Sequence, residues 1–129
     1  MLERIQPDGL RRPPTYAPVV RTTGGSTVYI SGQVPVDVDG NPVGVGDFEA
    51  QARQVFSNLR LALASVGADF SNVAKVTTYI VNYSPALLDS YSALRAEAMG
   101  DALPASTLVG VQSLARPDFL IEIEAIAIV

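Results

Sequence analysis

The stretch IEIEAIAIV at residues 121–129 indicates the fold most strongly, because all of its residues except Glu122 and Glu124 are apolar. A strand that is apolar along nearly its whole length is typical of a position inside a sheet. Successive side chains of a strand point to opposite faces, so the two glutamates share one face with Ile126 and Ile128. The pattern therefore predicts a central strand that displays two carboxylates on one side of the sheet.

Two segments upstream of this strand have helical periodicity. Apolar residues recur at steps of three and four over residues 48–66, after Asp47 as a candidate cap and before Gly67 as a stop. A second helix is expected over residues 84–100, where a Ser-Pro pair supplies the cap and the first helical residue and a glycine ends the helix. Both helices have one apolar face, so each should pack against a sheet.

The remaining apolar segments predict strands. Runs rich in β-branched residues lie at residues 27–32, 72–81 and 106–111, whereas the proline-rich residues 6–18 should be irregular. The order of strands and helices predicts an α+β protein, a two-layer sandwich with about six strands in a mixed sheet and two helices on one face. The length of 129 residues, without any interdomain linker, fits a single domain over residues 1–129.

Composition excludes several kinds of chemistry. The chain has no cysteine and no histidine, which removes thiolate and Ser-His-Asp catalysis and the commonest metal ligands, so we expect no metal and no cofactor. The net charge of −4 and the scattered arginines argue against a nucleic-acid partner. No apolar run is long enough to span a membrane, and the first residues lack the apolar core of a secretory signal. We therefore expect a cytoplasmic protein without a membrane partner.

Three features are candidates for chemistry. Glu122 in an apolar strand suits a general base, because burial raises the pKa of a carboxyl group, although both strand glutamates are equally compatible with a wet face or an arginine ion pair. Ser31 and Gly32 end an early strand, where a glycine permits close approach by a ligand or simply forms a turn. Tyr16 in the proline-rich segment either gates a pocket or packs the segment in place.

Five segments, in this order and at this spacing, resemble the RidA/YjgF/YER057c family of small imine deaminases, also labelled endoribonuclease L-PSP. They are PTYAP at residues 14–18, YISGQVPV at 29–36, QARQVFSNL at 51–59, VAKVTTYI at 73–80 and IEIEAIA at 121–127. The resemblance covers nearly the whole chain. It implies a chorismate-mutase-like fold and a homotrimer with three sites in the clefts between subunits.

The resemblance also implies an activity and a set of site residues. Family members with the full motif hydrolyse 2-aminoacrylate and related enamine or imine acids without a cofactor. The residue matching Glu122 positions or activates a water molecule, and the one matching Tyr16 lines the cleft from a neighbouring subunit. Backbone around Ser31 and Gly32 contacts the substrate.

The sequence departs from the family pattern where an arginine of a P-x-R-x-x-V segment anchors the substrate carboxylate. Here the segment reads PASTLV at residues 104–109, so Ser106 takes the place of the arginine and Thr107 follows it. A serine has neither the charge nor the two-pronged donor geometry of a guanidinium group. Leu88 stands where the family has an asparagine. We therefore expect a less polar and less positive pocket.

Two other arginines are candidates for the missing anchor. Arg116 lies in the loop before the last strand, and Arg21 lies in the first third of the chain. The distance of either residue from the cleft cannot be obtained from sequence.

Three functions follow from these observations. The first is a hydrolase of an imine or enamine other than 2-aminoacrylate, with Glu122 activating water and with Tyr16, Ser106 and Thr107 shaping the pocket. The second is a non-catalytic or regulatory homotrimer that binds a small metabolite. The third, an endoribonuclease or translation inhibitor, is disfavoured by the acidic charge and the lack of histidine.

Overall fold

The computed structural model describes all 129 residues and contains two main helices and six strands. The strands are β1 (Leu2–Ile5), β2 (Val19–Thr22), β3 (Thr27–Gln33), β4 (Val73–Val81), β5 (Ala105–Val111) and β6 (Ile121–Ile128). The helices are α1 (Phe48–Ala64) and α2 (Pro85–Met99), and a short 3₁₀ turn at Phe70–Asn72 leads into β4. None of the helices is long and apolar enough to cross a membrane.

Four strands form the main sheet in the order β3-β6-β4-β5. Strand β6 pairs antiparallel with β3 and β4, so the predicted central position of this apolar strand is confirmed. Strands β4 and β5 are parallel and are joined through α2, since parallel neighbours need a crossover connection. The α+β class, with two helices on a mixed sheet, is therefore confirmed.

The six strands differ from the expected single sheet in one respect, because β1 and β2 form a separate antiparallel pair. The proline-rich residues 6–18 connect these two strands and contain no regular strand. Prolines lack the N–H donor that a ladder requires, so this segment runs past the main sheet without extending it. A backbone hydrogen bond of 3.0 Å from Ala17 N to Pro104 O fixes the segment to the start of β5.

Both helices pack on the same face of the main sheet. One buried apolar core contains Val55 and Leu59 of α1, Leu94 of α2, and Ile121 and Ile123 of β6. The helix caps are those that the sequence predicts. Asp47 accepts a hydrogen bond from Ala50 N at 3.1 Å, Ser84 accepts one from Leu87 N, and Gly100 follows α2 with a φ of +56°. The opposite face of the sheet is not covered by either helix.

Gln51 connects α1 to the start of β6. Its side chain is 1% exposed, and its Nε2 donates to Gly44 O at 3.1 Å and to Asp118 O at 2.8 Å. Its Oε1 accepts from Leu120 N at 2.8 Å. A buried amide with three backbone partners is fully satisfied, and it fixes the point at which β6 enters the sheet.

Candidate functional site

The predicted site residues lie on two opposite faces of the main sheet. In the strand register Ser106 is opposite Val76, whose side chain is buried beneath the helices. Glu122 is opposite Tyr79, on the face that the helices leave open. Since side chains at paired positions share a face, Ser106 and Glu122 point in opposite directions. Within one chain these two residues do not form a common site.

Glu122 and Gly32 are in contact on the open face, where β3 meets β6, and the exposed Ser31 precedes Gly32 in β3. A Cβ atom at position 32 would lie 2.7 Å from Cδ of Glu122 and would overlap the carboxylate. The backbone of Gly32 does not have a positive φ, so close approach, and not backbone conformation, requires the glycine. The sequence left open whether this glycine permits approach by a ligand or simply forms a turn. In this structure the group that approaches is the carboxylate of Glu122.

The pKa of Glu122 depends on its surroundings on the open face. Partial burial raises the pKa of its carboxyl group, and the negative charge of Glu124 raises this pKa further. Glu124 accepts a hydrogen bond of 2.6 Å from the hydroxyl of Tyr79, and this bond is the main cause of the raised pKa of Tyr79. No arginine or lysine forms an ion pair with either glutamate, so the ion-pair alternative is excluded within the chain. The raised pKa makes the carboxylate of Glu122 a stronger proton acceptor than an ordinary carboxylate.

Thr107 also lies on the open face, although we expected it to line a pocket together with Ser106. Its Oγ1 accepts a hydrogen bond of 2.8 Å from Nζ of Lys75. Consecutive residues of a strand point to opposite sides of the sheet, so Thr107 does not line the cavity of its own chain with Ser106. Ser106 alone of this pair faces α2.

A cavity of about 390 Å³ lies between α2, the edge strand β5 and the proline-rich segment. Its wall includes three residues predicted for the site, namely Tyr16, Leu88 and Ser106. Tyr91, Arg95 and Leu108 also line it. Those on α2 lie three or four positions apart, which places them on one helix face. The cavity therefore brings together Tyr16, Leu88 and Ser106, which the sequence analysis placed in the same pocket.

Arg95 is the residue that sequence reasoning missed. Its side chain is 4% exposed and its Nη1 donates a hydrogen bond of 2.8 Å to Oγ of Ser106. A guanidinium group from α2 therefore stands beside the serine and gives the cavity wall a positive charge that the sequence analysis did not predict. A signal was present in the sequence, since Arg95 lies four residues after the buried Tyr91 and next to the buried Leu94. A charged residue at such a position of an apolar helix face needs a partner.

The two arginines proposed as replacement anchors lie elsewhere in the chain. Arg116 donates to Gly40 O at 3.0 Å and stacks over the ring of Phe119. Arg21 forms an ion pair with Glu3 on the small sheet. Neither lines the cavity.

Tyr91 is a buried part of the cavity wall. Its hydroxyl lies 2.7 Å from Oγ1 of the buried Thr78. Burial raises the pKa of Tyr91, and the positive charge of Arg95 partly opposes that rise. The phenol therefore stays neutral and serves as wall and hydrogen-bond partner.

The fold and these features define a class of protein: a small α+β domain with a cavity at a sheet edge and a glutamate on the uncovered sheet face. Comparison with known proteins identifies the family. The family model described as Endoribonuclease L-PSP matches residues 10–129, so the chain belongs to this family. The resemblance to RidA/YjgF proteins is thereby confirmed.

Three similar proteins match between 81% and 99% of this chain. A crystal structure of YyfB, a Rid-family protein of unknown function from Yersinia pestis, is 37% identical, with a TM-score of 0.93 over 99% of this chain and 98% of that one. The 3-aminoacrylate deaminase RutC of Acinetobacter baylyi is 35% identical over 97% of this chain and 96% of its own length. The 2-iminobutanoate/2-iminopropanoate deaminase of Dermatophagoides farinae is 34% identical over 81% and 80% of the two chains.

Proposed function

We propose that this protein hydrolyses a small imine or enamine in sites formed between neighbouring copies of a homotrimer. The observation that carries the proposal is the placement of Glu122 and the Tyr16–Ser106 cavity on opposite faces of one sheet. Two relatives, a 3-aminoacrylate deaminase and a 2-iminobutanoate/2-iminopropanoate deaminase, support the reaction class.

The placement favours a cyclic assembly. When the cavity of one copy meets the open face of the next, two different surfaces are in contact, and such head-to-tail contacts close into rings. The open face has the apolar side chains that an interface needs: Tyr29 is 78% exposed, and Ile126 and Ile128 lie beside it on the same face. In this ring Glu122 of the partner subunit faces Tyr16 and Ser106, which completes the site.

The chemistry needs only a carboxylate and water. Glu122 accepts a proton from a water molecule, and the water oxygen adds to the carbon of the C=N bond, giving a carbinolamine. Glu122 passes the proton that it took from water to the nitrogen as the carbinolamine forms. The hydroxyl proton of the carbinolamine is then transferred through Glu122 to the nitrogen, the C–N bond breaks, ammonia leaves and the C–O bond becomes a carbonyl. The sum is imine plus water giving carbonyl compound plus ammonia. An enamine enters the same sequence after protonation at carbon, and the raised pKa of Glu122 suits both proton transfers.

The substrate we propose is not 2-aminoacrylate. Ser106 stands at the position of the arginine that anchors this acid in the family, so a guanidinium group cannot reach the ligand from β5. Leu88, at the place of the family asparagine, adds an apolar surface to the cavity. An imine or enamine of different size or charge placement fits this wall better.

Ammonia release from imines generated in situ tests the proposal. We expect the wild-type protein to raise the rate above the spontaneous reaction for at least one imine, and Glu122→Gln to lose about 100-fold or more of that rate. Glu49→Gln, an exposed change on α1, is the control. Equal rates for wild type and Glu122→Gln would contradict the mechanism, and a fully active monomer in sedimentation analysis would contradict the shared site.

A metabolite-binding homotrimer is the second candidate. One observation favours it, namely that no aspartate or glutamate of the same chain lines the cavity. Compounds that raise the melting temperature without any ammonia release would support this function. Product formation from the same compounds would exclude it.

A further inference from the structure

Arg95 is the only buried charged side chain of the protein. Of its three nitrogen atoms, Nη1 is paired with Ser106, whereas Nε and Nη2 are buried and have no hydrogen-bond partner. Solvent does not reach these two atoms either. Buried polar groups are nearly always paired, and an unpaired cation is the most costly exception. The hydroxyl of Tyr91 lies close enough to Arg95 to have its pKa lowered by it, yet neither Nε nor Nη2 has an acceptor in hydrogen-bond geometry. A ligand or a neighbouring copy can supply that acceptor.

The charge of Arg95 is also uncompensated. The three ion pairs of the chain join Arg21 to Glu3 and Arg53 to two glutamates, and none includes Arg95. The cavity wall contains a second cation, Arg11, and no carboxylate. A protein with a net charge of −4 thus has a cavity whose charged groups are all positive. Such a cavity attracts an anion.

The unpaired atoms of Arg95 form one edge of the guanidinium group. The Nε–H and Nη2–H bonds are parallel, and this edge matches the two oxygens of a carboxylate. Ser106 holds the remaining nitrogen, Nη1, and so fixes the plane of the group while leaving the two-pronged edge unoccupied. Ser106, at the position of the family's arginine, thereby accepts a hydrogen bond from an arginine of α2 and orients it.

We propose that Arg95 binds the carboxylate of an anionic ligand in this cavity, with Ser106 as its positioning residue. The inference rests on the proposed function in placing the substrate in the cavity, and it adds that the substrate is an acid held from helix α2 and not from strand β5. Arg11 adds positive charge to the same wall.

Binding of a matched pair of probes tests this inference without any turnover. Isothermal titration compares 2-oxobutanoate with its uncharged amide, 2-oxobutanamide. We expect the wild-type protein to bind the acid about tenfold or more tightly than the amide. Arg95→Gln should abolish this preference and Arg95→Lys should keep part of it. Arg53→Gln, which removes the same charge from an exposed site on α1, should leave the preference unchanged.

Ser106 has its own pair of variants, which also decides the question if Arg95→Gln does not fold. Ser106→Ala keeps the charge of Arg95 but releases Nη1, so the preference for the acid should fall severalfold. Ser106→Thr keeps the hydroxyl and should retain it. A merely structural role of Ser106 would alter stability in Ser106→Ala without altering the ratio of the two affinities.

Four results overturn the inference: equal binding of acid and amide by the wild type, no binding of the acid, a preference that survives Arg95→Gln, or a preference that is undiminished in Ser106→Ala. Dissociation of the assembly by Arg95→Gln overturns it as well, since Arg95 then pairs with a carboxylate of a neighbouring copy. The proposed hydrolase activity is tested by a separate measurement, ammonia release. If the protein prefers the acid but releases no ammonia, the hydrolase proposal is wrong and the binding of a carboxylate by Arg95 still holds.

Discussion

Gly32 and Glu122 are in contact across the β3–β6 pair, with no room for a side chain between them. The contact holds the carboxylate against the backbone of β3. The neighbouring Glu124 is bonded to Tyr79, so Glu122 is the glutamate of this pair that has no hydrogen-bond partner within the chain. The glycine therefore determines where the proposed base lies.

Gly32→Ala is expected to move Glu122 without unfolding the protein. The backbone at this position is compatible with alanine, and the overlapping atoms belong to the end of a flexible side chain. A displacement of about 1 Å costs on the order of 100-fold in rate when the group acts directly on substrate. We expect a loss of about tenfold to 100-fold in kcat/KM with little change in melting temperature. Thr27→Ala on the same strand is the control, and full activity in Gly32→Ala would contradict the placement of Glu122 in the reaction.

Glu124→Gln should shift the pH dependence of the reaction. The negative charge of Glu124 contributes to the raised pKa of Glu122, so its removal lowers that pKa. A base acts when it is deprotonated, and the rate therefore rises with pH through the pKa of Glu122. We expect the rising limb of kcat/KM to lie above the ordinary range of a carboxyl group in the wild type and to move to lower pH in Glu124→Gln. Glu97→Gln on α2 should leave the limb where it is, and an unmoved limb in Glu124→Gln would exclude Glu122 as the titrating group.

Ser106→Arg, the substitution that restores the family residue, is expected to destabilise this protein. It removes the hydroxyl that pairs with Arg95 and brings a second guanidinium group to the same place. A hydrogen bond to a charged group contributes about 1.5–3 kcal/mol, so we expect the free energy of unfolding to fall by about 2 kcal/mol or more. Chemical denaturation measures the change, with Ser113→Arg in an exposed loop as the control. A stable and more active Ser106→Arg variant would show that Arg95 does not occupy the anchoring position.

Gln51→Leu is expected to loosen the entry of β6 into the sheet. The substitution leaves Gly44 O, Asp118 O and Leu120 N without their buried partner. Each unpaired buried group costs about 1–3 kcal/mol, so the free energy of unfolding should fall by at least about 2 kcal/mol. Gln112→Leu makes the same chemical change at an exposed position. Similar unfolding midpoints for the two variants would mean that the three bonds contribute little.

Local patterns in the sequence were sufficient for the two helices and the four strands of the main sheet, but they did not predict β1 and β2. Asp47 and Ser84 cap the helices as expected, and the apolar composition of residues 121–129 placed β6 inside the sheet. Capping and strand burial depend on side chains near in sequence, so they are visible without a structure. The division of six strands into two sheets was not visible, because the pairing of β1 with β2 depends on contacts across the proline-rich segment.

The candidate site divides in the same way. The sequence by itself determined that Glu122, Tyr16 and Ser106 are the residues to examine, since the spacing of the family motifs identifies them. Only the tertiary structure decided that Glu122 and Ser106 point to opposite faces and that Thr107 faces away from the cavity.

Arg95 shows the physical reason for this limit most directly. Along the chain it lies eleven residues from Ser106, on a different element, and nothing in the local pattern joins the two. They meet because α2 crosses back over the sheet to bring β5 beside β4. The sequence determined that Ser106 replaces the family's arginine. Only the packing of α2 against β5 decided that the guanidinium group of Arg95 lies beside this serine.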